Sequence, residues 1–145
     1  MNANAQPAAG LPPEYGISIT LAQAKKVVEA AEKEAAKNSW PMVIAIVDTG
    51  GHLVMLHRMD QSQLGSVTIA RLKAETSANF RRPTKVFEDG IGAGGNRLLS
   101  MPNVLALEGG LPIMQNGKVI GGIGVSGMAS PQDAEVARAG LVALA

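Results

Sequence analysis

His52 and His57 are the chain's two histidines, in the stretch HLVMLHRMD. On an extended strand an odd separation turns the two rings to opposite faces, so they cannot hold one metal between them. No H-E-x-x-H run or other ligand cluster accompanies them, and zinc is not expected. The chain has no cysteine, which removes disulfides, thiolate ligands and cysteine nucleophiles. Each imidazole alone keeps two possibilities, axial ligation of a haem iron and proton transfer. The plainer alternatives are a solvated turn residue for His52 and a strand residue facing a helix or an interface for His57.

Arg58 follows on the same stretch, on the face of Val54 and Leu56. A guanidinium there calls for a carboxylate. Asp48, Asp60 and Glu108 are candidates within the chain, and a ligand carboxylate is the functional alternative. Lys73 and Arg71, with the RRPTK run at 81–85, read either as an anion-attracting rim or as a solvated basic face. In LEGGLP, Glu108 precedes Gly109 and Gly110. The two glycine amides could stabilise an oxyanion or a carboxylate, or simply make a turn.

GGIGVSG, residues 121–127, contains G-x-G-x-x-G at Gly122, Gly124 and Gly127. The dinucleotide motif needs a strand running straight through the glycines into a helix, then a second parallel strand. Here the glycines sit in the second arm of a hairpin, and only 18 residues follow Gly127. NAD binding is therefore not expected. The glycines of this strand are read as places where another element packs close.

Those groups must be positioned by a chain of 145 residues, the size of one domain. Thirteen basic and twelve acidic residues nearly balance, so no bulk charge draws the protein to nucleic acid or an anionic membrane. No apolar run is long enough to span a bilayer, and the first residues lack the features of a secretory signal. Cytoplasmic location is the default. Aromatic residues are only 3% of the chain and charged residues 17%, below the usual quarter. The core must come from Ala, Val, Ile, Leu and Met, a composition that suits burial against other subunits as well as within one.

Residues 1–17, rich in Ala, Pro and Gly, read as a flexible arm ahead of a single domain at 18–145. Thr20 caps a helix over 20–38, with Leu21, Ala24, Val28, Ala31 and Ala35 on one face. Residues 42–48 form a buried strand, and 52–60 return beside it. A second helix covers 61–80, with Ile69, Leu72, Thr76 and Phe80 along one stripe, and Pro83 ends it. Residues 84–103 hold a short helical turn and a glycine-rich loop. Residues 104–127 read as three strands with two turns, the second at Asn116-Gly117, a strong type I′ hairpin signal. Ser130 as N-cap and Pro131 at N1 open a last helix, with Ala134, Ala137, Leu141 and Leu144 inward. Hairpins dominate, which predicts an α+β layer structure with a mainly antiparallel sheet.

The blocks VIAIVDTGGHLVMLHRMD, SVTIARLKAETSANF with RPT, and EGGLPIMQNGKVIGGIGVSG with DAEVARAG resemble the GlcG/HbpS family. This is the haem-degrading domain family, also found at the C-terminus of some corrinoid adenosyltransferases. The resemblance implies a five-stranded antiparallel sheet packed with helices, and dimers that assemble into a larger ring or octamer. It marks Asp48, Gly50, Gly51, Arg58, Met59, Asp60, Lys73, Glu108, Gly109, Gly110 and Pro112 as the matching positions. Some members bind haem or a related tetrapyrrole, and others accompany catabolic operons for small organic acids.

Two functions follow. One is an oligomeric small-molecule-binding protein, with haem or a related tetrapyrrole as the ligand raised by the resemblance, and His52, His57, Asp48, Gly109 and Gly110 facing it. The other is an enzyme, a hydrolase or isomerase acting on a small carboxylated metabolite. There Arg58 or Lys73 would hold the carboxylate, Glu108 or a histidine would move protons, and the Gly109 and Gly110 amides would stabilise negative charge.

Overall fold

The computed structural model describes residues 11–145. In chain order the elements are helix α1 (Leu21–Lys37), strands β1 (Val43–Val47) and β2 (Leu53–Arg58), and helices α2 (Ser66–Phe80) and α3 (Lys85–Gly92). A 3-10 turn over Asn96–Ser100 follows, then β3 (Gly110–Gln115), β4 (Lys118–Ser126) and helix α4 (Ser130–Val142). The sheet is antiparallel throughout, in the order β2-β1-β4-β3.

The sheet has four strands among the described residues, not the five expected. The missing one is the first of the three read over 104–127. Its backbone is engaged elsewhere: the Leu105 amide donates to Thr76 Oγ1 of α2 (3.0 Å). Next to β4, beyond the end of β1, lies residues 14–19. Val119 N donates to Glu14 O, Gly16 N to Val119 O and Ile19 N to Ile120 O, each at 2.8 Å. Of the arm read over 1–17, residues 1–10 lie outside the described residues; over the rest, Tyr15 bridges Val119 in parallel and its hydroxyl donates to Ala78 O at 2.6 Å.

Local chemistry explains the boundaries. Thr20 and Gln23 form a reciprocal capping box at the start of α1. Asn116 (φ 53°) and Gly117 (φ 76°) make the left-handed pair that turns β3 into β4. Helix α2 begins at Ser66 rather than near 61, because Gln61 (φ 66°) is left-handed and Ser62 turns back onto Met59 O (2.7 Å). Helix α4 is capped at Ala129 instead of Ser130; the Gln132 side chain accepts from Ala129 N (3.1 Å) and Asp133 from Met128 N (3.0 Å).

The two sheet faces are filled differently. Toward α1 and α4, Ile44, Ile46, Ile123 and Val125 meet Val27, Val28, Ala31, Val136 and Leu141. Leu21, expected inside, is 51% exposed, and Val27 takes the core position. Toward α2, Val43, Ala45 and Val47 meet only Ala70, Ala74 and Ala78 among the buried apolar residues. A Cβ at Gly124 would be driven into the Ala70 carbonyl oxygen, and one at Gly122 into that of Ala74. The helix therefore lies directly on the glycines, which is the packing role read for them. The inward face of α2 is accordingly its small-residue face, with Ser66, Ala70, Lys73, Ala74 and Ser77 buried, while Ile69 and Leu72 of the expected stripe are half-buried.

Candidate functional site

Strand β2 lies on the outer edge of the sheet, and both histidines stand at it. Ahead of it, Asp48 ends β1 and organises the connecting turn: its Oδ1 accepts from Gly50 N and His52 N, both at 2.9 Å. Asp48 thus acts on the turn through that oxygen and fixes the backbone from which His52 projects. Gly51 (φ 81°) completes the bend. The His52 side chain is exposed, and no hydrogen bond engages its ring among the described residues. The ring lies across Gly50, where a Cβ would stand 3.0 Å from His52 Cδ2. Beside it, Leu53 is 51% exposed.

His57 is exposed too, but its Nδ1 meets Glu32 Oε1 of α1 at 2.6 Å. Alternation along β2 is interrupted: Ile46 pairs with Met55 and Val47 with Leu53, so Val54 is an extra residue. That bulge takes Leu53 out of step with Met55 and His57, which the sequence pattern places on one face. Arg58 is exposed and enters no ion pair among the described residues, with Asp48, Asp60 or Glu108 or otherwise.

The second group of expected site residues lies at the other side of the sheet. Lys73 is 1% exposed, not part of a rim. Its Nζ donates to Asp133 Oδ2 (2.8 Å) and Val125 O (3.0 Å), tying α2 to α4 and β4. Burial is the main influence on Asp133 and raises its carboxyl above the ordinary 3.8, against the lowering pull of Lys73 and the Met128 and Gly127 amides. Gly109 (φ 130°) crosses next to the ammonium: a Cβ there would lie 2.7 Å from Lys73 Nζ. The Gly110 amide is not free for an oxyanion, since it donates to Thr84 Oγ1 at 2.9 Å. Glu108 is half-buried, and with Asp89, the stronger influence, it helps raise Lys85 above 10.5.

Arg58 and the histidines therefore stand on β2, while Glu108, Gly109 and Gly110 lie at the entry to β3. The two strands are the sheet's opposite edges, three spacings or about 14 Å apart. Arg58 is thus kept apart from Glu108, Gly109 and Gly110, whereas Lys73, the other carboxylate holder of the enzyme alternative, lies beside Gly109 with its ammonium engaged by Asp133. Asp133 has no place among the sites read from the sequence, and Thr84 enters them only within the RRPTK run. Their signal was slight: an acid in the first turn of α4, and a threonine just after Pro83.

This arrangement has known relatives. The model of the haem-degrading protein HbpS-like family matches residues 19–142. The chain belongs to this family. Among curated relatives, protein GlcG of Escherichia coli K12 is 39% identical over 110 residues, 76% of this chain and 82% of GlcG. A crystal structure of HbpS superposes with a TM-score of 0.83 at 30% identity, covering 97% of this chain and 99% of that one. A crystal structure of a PduOC–haem complex does so with a TM-score of 0.80 at 27% identity, covering 88% and 95%. No helix of the described residues is long and apolar enough to cross a membrane.

Proposed function

We propose that this member of the HbpS-like family is a cytoplasmic small-molecule-binding protein whose ligand is haem or a related tetrapyrrole, held near the contacts of a homo-oligomer. The observation that carries this reading is the His52 imidazole, exposed at the β1–β2 turn with no hydrogen bond to its ring among the described residues. Its chemistry fits haem: a neutral imidazole nitrogen is a standard axial ligand to haem iron. The exposed Leu53 next to it offers apolar surface to a macrocycle. The similarity to a protein solved with haem supports the same assignment.

His52 would supply the ligand nitrogen, and the Asp48-braced turn would set the direction of its ring. His57, held by Glu32, would be secondary. Bound haem supplies an iron centre for redox chemistry or sensing. Leu64 and Leu99, 74% and 70% exposed, are the kind of surface that a second copy covers.

Titration of haemin into the apo protein, followed at the Soret band, tests the assignment. A saturable shift is expected, weakened at least about tenfold by His52→Ala, a loss of roughly 1.4 kcal/mol, and little changed by His57→Ala. A shift that is absent, or unchanged in the His52→Ala/His57→Ala double variant, overturns histidine ligation. Native mass spectrometry of the same samples reports subunit number.

A further inference from the structure

The end of β2 remote from His52 carries a different feature. An open cavity of about 300 Å³ lies between the end of α1 and the end of β2, lined by Ser39, Trp40, Pro41, Met59, Asp60 and Gln61 among others. That volume is at the small end of ligand sites. Main-chain bonds hold its walls. Ser39 N donates to Ala36 O (3.0 Å) and Trp40 N to Ala35 O (2.9 Å), the paired bonds that close a helix C-terminus. Met59 N donates to Met42 O (3.0 Å) on the other wall. Ser39 (φ 59°) and Gln61 (φ 66°) are both left-handed without being glycine. Such backbone costs free energy that glycine would avoid, and it sets two polar side chains at the cavity's lip.

The chemistry of the lining is one-sided. Asp60 is exposed and enters no ion pair among the described residues. The carbonyl end of the 17-residue α1 adds negative partial charge. Lys37, the basic residue of its last turn, is 74% exposed and its nearest carboxylate is Glu34, at 3.9 Å. Trp40 and Met59, both half-buried against the core, provide an indole ring and a thioether. A carboxylate beside an indole and a thioether suits a cation with an apolar body.

We infer that this cavity binds a small organic cation, a primary or quaternary ammonium carrying a short apolar chain. The inference is independent of the haem assignment, because the two sites occupy opposite ends of β2 and share no residue.

Trp40 is the chain's only tryptophan, so its fluorescence in the intact protein reads the cavity directly. Butylammonium chloride, titrated at constant ionic strength, should change the emission saturably. The neutral isostere 1-butanol should bind about tenfold more weakly. Asp60→Asn should weaken butylammonium about fivefold or more, and Asp60→Glu should restore most of it. No saturable change, an equal response to butanol, or a response indifferent to Asp60→Asn overturns the inference. The ammonium-to-alcohol comparison needs no variant, so it stands even if a substitution disturbs the fold.

Discussion

The two faces of the sheet solve the same packing problem with opposite materials. The face under α1 and α4 is filled by branched aliphatic side chains. The face under α2 is closed by backbone lying on glycine, with alanines, serines and one lysine between. The aliphatic face excludes water by volume, and the glycine face does so by proximity. A face that tight leaves no polar group idle: every buried side-chain nitrogen or oxygen among the described residues has a partner. Lys73, the most chemically suggestive residue of α2, is one of these satisfied groups. Functional groups without a polar partner among the described residues, such as the His52 ring and Arg58, are found instead on the edge strand β2 and at its two ends.

The largest expected effect comes from breaking the buried pair on the tight face. Lys73→Met leaves Asp133 buried without its cation, and should cost about 3–5 kcal/mol at neutral pH. Lys73→Met/Asp133→Leu should recover much of this, because apolar replacement of a whole buried pair is often neutral. The pH dependence has a definite sign. Burial already holds Asp133 above 3.8 in the folded protein. A raised carboxyl contributes stability that is full below its unfolded value and is lost as pH rises through the folded one. Removing the ammonium removes a lowering influence, so the cost of Lys73→Met should shrink as the medium is acidified. Urea unfolding from neutral pH down to about pH 4 checks this. Ile44→Val on the aliphatic face should cost only about 1 kcal/mol at every pH. A cost for Lys73→Met that stays flat with pH would contradict the burial account.

A smaller effect separates closeness from conformation. Gly124→Ala drives a methyl into the Ala70 carbonyl oxygen, and the backbone of α2 must shift; a loss of about 3 kcal/mol is expected. Gly117→Ala meets no atom within 4 Å but keeps a φ of 76°. It should cost about 1 kcal/mol, the penalty of left-handed backbone alone. Thermal unfolding of the two variants gives the comparison. Equal losses would mean that helix proximity is not what Gly124 serves.

These two glycines show which parts of the molecule could be read beforehand. Asn116-Gly117 announces its hairpin because turn chemistry is local, and MVIAIVD announces β1 because a run of β-branched residues is local too. Gly124 announces that something packs close, but not what. The rotation of α2 was not legible, since its larger apolar residues Ile69 and Leu72 suggest an inward stripe. Only the glycines of a strand some fifty positions later in sequence make the small-residue face the inner one. Lys73 misled for the same reason, its partner Asp133 being 60 positions away. The 104–109 stretch has strand-like composition, and its backbone is captured by Thr76 and not by a neighbouring strand. His52 and His57 were legible as individual candidates on β2. Their different states, one ring without a hydrogen bond among the described residues and the other held by Glu32 of α1, were not.

That last contact defines the smallest effect. His57 and Glu32 meet at 2.6 Å with side chains 47% and 35% exposed, so water competes for both partners. A double-mutant cycle with His57→Ala and Glu32→Ala should return a coupling of about 0.5 kcal/mol. The corresponding cycle between Lys73 and Asp133 should be several times larger and nearly insensitive to salt. If the exposed pair proves the stronger, His57 is fastened to α1 as firmly as any core residue. If it proves as weak as expected, substitution of His57 leaves the fold undisturbed, and any loss of haemin binding in the His52→Ala/His57→Ala double variant beyond that of His52→Ala can be ascribed to the missing His57 imidazole.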